Sequence, residues 1–390
     1  MKGDFVGIGI NFYTYKDTIT VIRTIEGGPS EKAGIIGGDR IIMANGDSIF
    51  GKDLSNNEII KKLKGPINTL VDLKVYRKGE PELLDFTVKR NHIPIKSVDA
   101  AYKLTDKLGY IKINRFAEST YKEFKKELTK LQKQGISELV VDLRNNPGGF
   151  LGVAEQIVDE FLEDDKLILF TRNKRGDIEK SYATKKGDFE KGNRDGRAVT
   201  LTVSRYYTPT GRSIQRSYQN GNRDYYDDYF DRLKSGELID PEKIEVADSL
   251  KFTTPKGKVV YGGGGIIPDV FVPLDLSMQN ETLTFLDRRG FISNFVFEEL
   301  EKDRHAYDSI SRDEFIKYFQ FDDDMVLQFQ DYLNEKTKAN ITFVAYNEEV
   351  KQYIKATLAD QLFGNGAFEE VINQSDIMIE EVIILSNRED

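Results

Sequence analysis

Few residues in this chain have types and spacings that do chemistry, and the first group works through its backbone. In VVDLRNNPGGFLGVAEQIVDEFL, residues 140–162, a run that reads as a strand meets Pro147, Gly148 and Gly149 and passes into a run that reads as a helix. Two adjacent glycines accept positive φ and leave N–H groups uncovered at a helix N-terminus, where a developing negative charge can be held. The same residues also make a plain strand-to-helix connection, and the stretch alone does not choose between the two. A second backbone device is Gly7-Ile8-Gly9-Ile10, which precedes a strand. It can present successive N–H groups to a carboxylate while an extended peptide adds beside the strand, or it can be a glycine-softened edge.

The side-chain candidates are weaker. Ser204 and Ser213 lack a glycine-flanked elbow that would expose a hydroxyl beside a base, and both read as structural. Lys185, Lys186 and Lys191 fall in a charged connection with nothing apolar around them to depress a lysine pKa, so they read as solvated. Asp142 and Arg144 flank Leu143 at the end of the strand run and read as a hydrogen-bonded anchor. YGGGGIIPD, residues 261–269, lacks the Lys-Ser/Thr ending of a phosphate loop and no helix follows it. With no cysteine, and with His92 and His305 as the only histidines, disulfides, thiolate nucleophiles and histidine metal clusters are excluded, and no cofactor or metal is expected.

These groups need elements to hold them, and 390 residues with 39% hydrophobic content supply enough apolar surface for two or three domains. The formal net charge is −9, with basic residues dispersed among acidic ones, so nucleic acid is not an expected partner. No run of about 18 apolar residues suggests a membrane span, and MKGDFVGIGI enters a strand pattern without the layout of an export signal.

Over the first ninety residues, FVGIGINF, TITVIRTI, TLVDLKVYR and LLDFTVKR read as strands. Ser55 and Glu58 form the capping box of a helix carrying Ile59, Ile60 and Leu63, which stops at Gly65-Pro66. RNHIPIKSVDAAY reads as a linker. LGYIKINRF then reads as a strand, followed by a helix with Tyr121, Phe124, Leu128 and Leu131 at helical spacing, and by the strand at Val140, Val141 and Leu143, which suits burial on both faces. Strand, helix, strand in that order implies a crossover and a partly parallel sheet. The following helix is expected to carry Leu151, Ala154, Ile157, Val158 and Phe161. Residues 216–252 read as a long surface loop with one short helix, and from about Leu274 the pattern is helical, with a second capping box at Ser311 and Glu314. The fold class is mixed α/β. Its expected division is a peptide-binding domain at 1–92, an α/β core at 93–273 and a helical C-terminal appendage at 274–390.

The order of parts resembles known proteins. GGPSEKAGIIGGDRIIMANG, from Gly27 to Gly46, resembles the PDZ domain of bacterial proteases. GYIKINRF, TYKEFKKELTKLQKQG, ELVVDLRNNPGG and RYYTPTGRSIQR resemble consecutive signatures of the C-terminal processing peptidases, or tail-specific proteases. The resemblance runs from about Gly3 to about Pro273. It implies a PDZ domain inserted in a crotonase-like α/β protease core, a serine nucleophile with a lysine base, an oxyanion turn at Gly148 and Gly149, and peptide capture at Gly7, Ile8, Gly9 and Ile10. It also implies unfolded or C-terminally exposed polypeptides as substrates and an extracytoplasmic (periplasmic) location, and it is compatible with a homo-oligomer.

The chain departs from that family after Gly192. A member would continue with a buried strand, a turn carrying the serine, a helix and a strand carrying the lysine. Here Asn193-Arg194-Asp195-Gly196, which resembles the hairpin after the lysine strand, follows directly. Both members of the expected dyad belong to the missing stretch. Two functions stay open: a C-terminal processing serine endopeptidase whose catalytic segment this chain lacks, and a catalytically inactive PDZ peptide-binding or scaffolding protein. A nucleotide or cofactor enzyme built on the glycine turns has no fingerprint in its favour. Loss of sheet strands should also expose an edge beside Val140–Leu143, to be covered by another chain, a loop or a rearranged strand.

Overall fold

The structure, a computed structural model, describes residues 4–15, 18–51, 55–173, 175–184, 187, 205–213, 230–244, 250–254, 257–262, 265–274, 281–338, 342, 347–364 and 366–388. The chain divides into two compact units: residues 2–100 with 280–374, and residues 101–279 with 375–390. The sequence segments 1–92, 93–273 and 274–390 are thus distributed over two bodies.

In the first unit, β1 (Asp4–Gly7) breaks at Ile8 and Gly9 before β2 (Ile10–Tyr15), because Gly9 takes φ +77. β3 (Thr18–Thr24) and a single helical turn, α1 (Pro29–Lys32), follow. Next come β4 (Arg40–Ala44) and β5 (Asp47–Ser48), joined through Asn45 and Gly46, both at positive φ as the tight hairpin requires. α2 (Asn56–Leu63) starts on the expected capping box, Ser55 with Glu58. β6 (Leu70–Tyr76) and β7 (Leu84–Lys89) complete a sheet of order β2-β3-β4-β6-β7, with β5 paired to β4. Its inner face and α2 share one core that includes Ile8, Ile19, Val21, Ile41, Ile59, Leu63 and Val75. Among the described residues β2 is an edge strand.

The stretch read as a linker is strand instead. β8 (Asn91–Pro94) pairs antiparallel with β1, and β9 (Val98–Lys103) enters the next sheet. The partner of β8 lies at the other end of the domain, so local pattern gave no hint of it.

In the second unit, β10 (Leu108–Ile113), α3 (Thr120–Lys133) and β11 (Glu138–Asp142) form the expected crossover, with Tyr110 opposite Val140 in a parallel pair. The sheet order is β11-β10-β9, so among the described residues β11 is an edge. The expectation of a strand buried on both faces is corrected accordingly: residues 138–141 are half-buried, and Leu143 lies beyond the strand at 38% exposure. α4 (Leu151–Asp159) is shorter than expected, leaving Phe161 past its end. β12 (Leu167–Arg172) pairs antiparallel with both β13 (Ile178–Tyr182) and β14 (Arg205–Tyr207). β15 (Lys251–Thr253) and β16 (Val259–Tyr261) make a hairpin. After YGGGGIIPD, residues 265–274 carry no strand, and Val270 is 41% exposed. An extended segment becomes a strand only where a ladder partner meets it.

The C-terminal pattern is helical as expected: α5 (Glu281–Arg288), α6 (Phe291–Lys302), α7 (Arg312–Tyr318), α8 (Asp323–Thr337), α9 (Asn347–Phe363), α10 (Ala367–Ile372) and α11 (Ile377–Arg388). α5 to α10 share an apolar core containing Phe295, Phe315, Phe329 and Ile354, and Ser311 with Glu314 caps α7. α11 belongs to the second unit, where Ser386 donates to Glu138 and Arg144 donates to Asp376 just before the helix. The last helix is therefore tied to both ends of β11. Glu138, Val140 and Asp142 share one strand face by alternation, and the other carries Leu139, which lies with Leu131 of α3 around Gly109.

Candidate functional site

Backbone donors at two places among the described residues bear on the expected sites. At the first, the carbonyls of Ile8 and Gly9 are held inward, accepting from the N–H groups of Ser30 at 2.9 Å and Ile25 at 3.0 Å. Their own N–H groups find no backbone acceptor among the described residues. Ile10 lies opposite Thr24, and the adjoining Ile25-to-Gly9 bond marks that couple as the non-hydrogen-bonded kind. The N–H of Ile10 consequently points away from β3, to the open edge of β2. Gly7 closes β1 opposite Asn91 and belongs to that ladder. Glycine suits residue 9 because φ is +77 and a Cβ there would crowd Ile93 Cδ1 at 3.1 Å and Pro29 Cδ at 3.3 Å. Ile10 and Phe12 are partly buried against the core that holds Ile59 and Leu63 of α2. Three N–H groups, an open strand edge and an apolar flank are thus contiguous.

The second place is the turn after β11. Asn145, Gly148 and Gly149 take φ of +63, +98 and +152. Phe116 N–H donates to Gly148 O at 3.0 Å, and Phe150 N–H to Phe116 O at 2.8 Å, which pins the turn to the end of the neighbouring strand run. Asn146 closes it: its amide donates to Ile113 O at 2.8 Å, and its Oδ1 accepts from Gly148 N–H at 2.7 Å. Of the two glycine donors expected here, the one at Gly148 is therefore engaged. Gly149 N–H has no hydrogen-bond partner among the described residues. Asn146 is the residue that reading by type missed. An asparagine bonding the backbone two residues on was the available signal.

Asp142 and Arg144 form the anchor suggested by their position. Asp142 accepts from the Tyr110 hydroxyl at 2.6 Å and from Arg144 Nη2 at 2.7 Å and the Arg144 N–H at 2.8 Å. Burial pushes this carboxyl up, but the bonds from Arg144 and Tyr110 outweigh it and hold it below the usual range. It is an acceptor with every lobe engaged, unsuited to proton transfer. Ser213 sits in a bridge opposite Tyr207. Ser204, Lys185, Lys186, Lys191 and the Gly192–Asn193 junction lie outside the described residues. Among those described, no cluster of three or more potential metal ligands occurs, and no helix is long and apolar enough to cross a membrane.

An open-edged β domain with a helix-flanked groove and a strand–turn–helix crossover are the two features set beside known proteins. Residues 6–89 match the PDZ domain model, residues 107–194 match Peptidase family S41, and residues 282–364 match a family of unknown function. The chain is 31% identical over 277 residues to the "Probable CtpA-like serine protease" of Staphylococcus aureus (strain N315), a match covering 70% of this chain and 53% of that one. It is 35% identical over 186 residues to the "Carboxy-terminal processing protease CtpB" of Bacillus subtilis (strain 168), covering 47% and 38%. Among solved structures, the photosystem II D1 C-terminal processing protease shares 26% identity over 45% of this chain and 49% of that one, with a TM-score of 0.26 that carries no structural argument. The chain belongs to the C-terminal processing peptidase family. It spans about half the length, or less, of these curated relatives.

Proposed function

We propose that this protein captures the C-terminal tails of unfolded or C-terminally exposed polypeptides, and that its 390 residues bind such tails without cutting them. The observation that carries this reading is the row of unpaired N–H groups at Ile8, Gly9 and Ile10 beside the open edge of β2. A terminal carboxylate accepts from these donors, the tail adds to β2 as a further strand, and its last apolar side chain rests on Ile10 and Phe12. Gly7, within the β1 ladder, shapes the entry to this loop.

Cleavage is the second reading, favoured by Gly149. An N–H without a partner among the described residues would serve as an oxyanion donor to a scissile carbonyl, and Gly148 supports the turn through Asn146. Yet a donor acts only after a nucleophile attacks, and no serine–lysine pair stands at a suitable elbow in the sequence. The S41 match ends at residue 194, close to the Gly192–Asn193 junction where the sequence reading puts the absent dyad-bearing stretch. The serine endopeptidase activity of the family therefore requires a segment that this chain does not carry, and an extracytoplasmic place of action goes with the family reading.

The test is binding of matched peptides with an apolar last residue, as free acid and as amide, measured by fluorescence anisotropy. Loss of a charge-assisted set worth about 1.5–3 kcal/mol should weaken the amide roughly 10- to 100-fold. Equal affinity would exclude this groove as the recognition site. Turnover of a disordered protein by the purified chain, with its 44.6 kDa mass confirmed, would overturn the claim of binding without cleavage.

A further inference from the structure

The helical segment that matches a family of unknown function does not fold away from the PDZ sheet. Tyr13 of β2 lies opposite Thr20 of β3, Thr20 opposite Arg40 of β4, and Arg40 opposite Tyr76 of β6, so the four form one row across the sheet. Ile19, Val21 and Ile41 point into the PDZ core, so this alternate row lies on the outer face. An outer face ordinarily meets water, yet Thr20 is fully buried. What covers it is α6. The Tyr13 hydroxyl donates to Glu298 at 3.1 Å, Arg40 donates to Glu301 at 3.2 Å, and Phe297, fully buried, meets the Tyr13 ring edge-on at 6.2 Å. Lys78 donates to the carbonyl of Glu301 at 2.8 Å, where the end of a helix favours a cation.

A second contact comes from α9. The register shift between Asn11 and Phe12 sets Phe12 opposite Val21 on the core side, and hence Asn11 opposite Arg23 on the outer face. Arg23 reaches Asp360 at 2.7 Å. Across the contact Arg23 pairs with Asp360 and Arg40 with Glu301, while Arg304 from the helix side lies over Phe297 beside the Gly37–Gly38 turn and also pairs with Glu301. The apolar cores of sheet and helices have no member in common, and Phe297 belongs to neither. Two self-contained cores joined by partly exposed ion pairs around one buried aromatic make a docking interface of the separable kind.

We propose that residues 281–372 are a docking module for the chain's own PDZ sheet, gripping β2 and β3 from the face opposite the PDZ core and setting how readily the peptide-accepting edge of β2 opens. The grip itself follows from the contacts above, and only its effect on peptide capture rests on the functional reading of β2. Ligand and module then hold the same strand, and by reciprocity each must alter the hold of the other if they prefer one state of it.

The test uses the full chain and amide hydrogen exchange. Arg23→Asp should speed exchange in β2 and β3 at least tenfold while leaving β10 and α3 of the other unit unchanged. Arg23→Asp combined with Asp360→Arg should restore the parent rates. Restoration distinguishes docking from general damage, and Phe297→Ala should open the same strands without repair by either charge change. Unchanged exchange in Arg23→Asp, or failure of the swapped pair to restore it, would overturn the module. For the coupling, a free-acid peptide should slow exchange in α6 if it binds. A peptide that binds without slowing α6 refutes the coupling alone, and one that does not bind refutes the tail-capture reading and with it the coupling, while the charge swap still decides the docking.

Discussion

Replacing Gly149 by alanine tests whether the turn after β11 is as tightly specified as its contacts require. A Cβ at that position would lie 2.1 Å from Phe116 O and 2.7 Å from its carbonyl carbon, where real contacts keep about 3.0 Å. The backbone must therefore separate by about 0.9 Å, because the opposing atoms are backbone and cannot swing aside. The two bonds that pin the turn, at 3.0 and 2.8 Å, would stretch beyond hydrogen-bonding reach. Their loss costs about 1–3 kcal/mol together, and forcing a non-glycine residue to φ +152 adds about 1–3 kcal/mol more. A destabilisation of about 2–6 kcal/mol is expected. The assay is urea unfolding followed by exchange at the Phe116 and Phe150 amides, which report the two bonds directly. A variant within about 0.5 kcal/mol of the parent, with both amides still protected, would refute the reasoning.

Two further perturbations probe the anchor and the groove. Asp142→Ala should cost about 3 kcal/mol in urea unfolding, since it strands the buried Tyr110 hydroxyl and removes the acceptor of Arg144 N–H, Nε and Nη2. The Asp142 carboxyl is depressed on folding, so its contribution is present above the unfolded value of about 3.9 and disappears as pH falls through the lower folded value; the parent should lose stability there and the variant should lack that component. In the groove, Gly9→Ala should cost about 1–2 kcal/mol through its φ of +77 and should weaken free-acid peptides more than amidated ones. Equal weakening of both would show that Ile8 and Gly9 do not meet the carboxylate.

Much of the fold was legible because local chemistry and tertiary structure agree. Both capping boxes, at Ser55–Glu58 and Ser311–Glu314, form as their spacing implies, and Asn45-Gly46 makes the hairpin its type favours. The crossover through α3 followed from helical spacing alone, with Phe124, Leu128 and Leu131 all buried. What failed depends on distant partners. β8 exists because β1 lies beside it, and residues 265–274 stay without strand structure. Leu143 reads as core by type, yet β11 ends one residue earlier at an open edge. At the turn the glycines were visible and the clamp was not, because the role of Asn146 depends on the carbonyl of Ile113 being 2.8 Å away.

The two proposed sites differ in how much they would need from the rest of a peptidase. For the proposed capture loop, donors, edge and apolar flank all come from residues 8–12 and their immediate supports. Backbone N–H groups survive any substitution except proline, so such a groove persists as long as Gly9 and the anchoring by Ser30 and Ile25 persist. The turn at Gly149 is incomplete by nature, since stabilising an oxyanion lowers a barrier that only a nucleophile can begin to climb. Side-chain chemistry depends on the segment that carries it, whereas the scaffold around Gly149 is held by Asn146, Phe116 and Phe150 through local hydrogen bonds. Intact turn geometry is therefore expected with or without catalysis, whereas a preference for the free carboxylate over the amide bears on the proposed role of β2 alone.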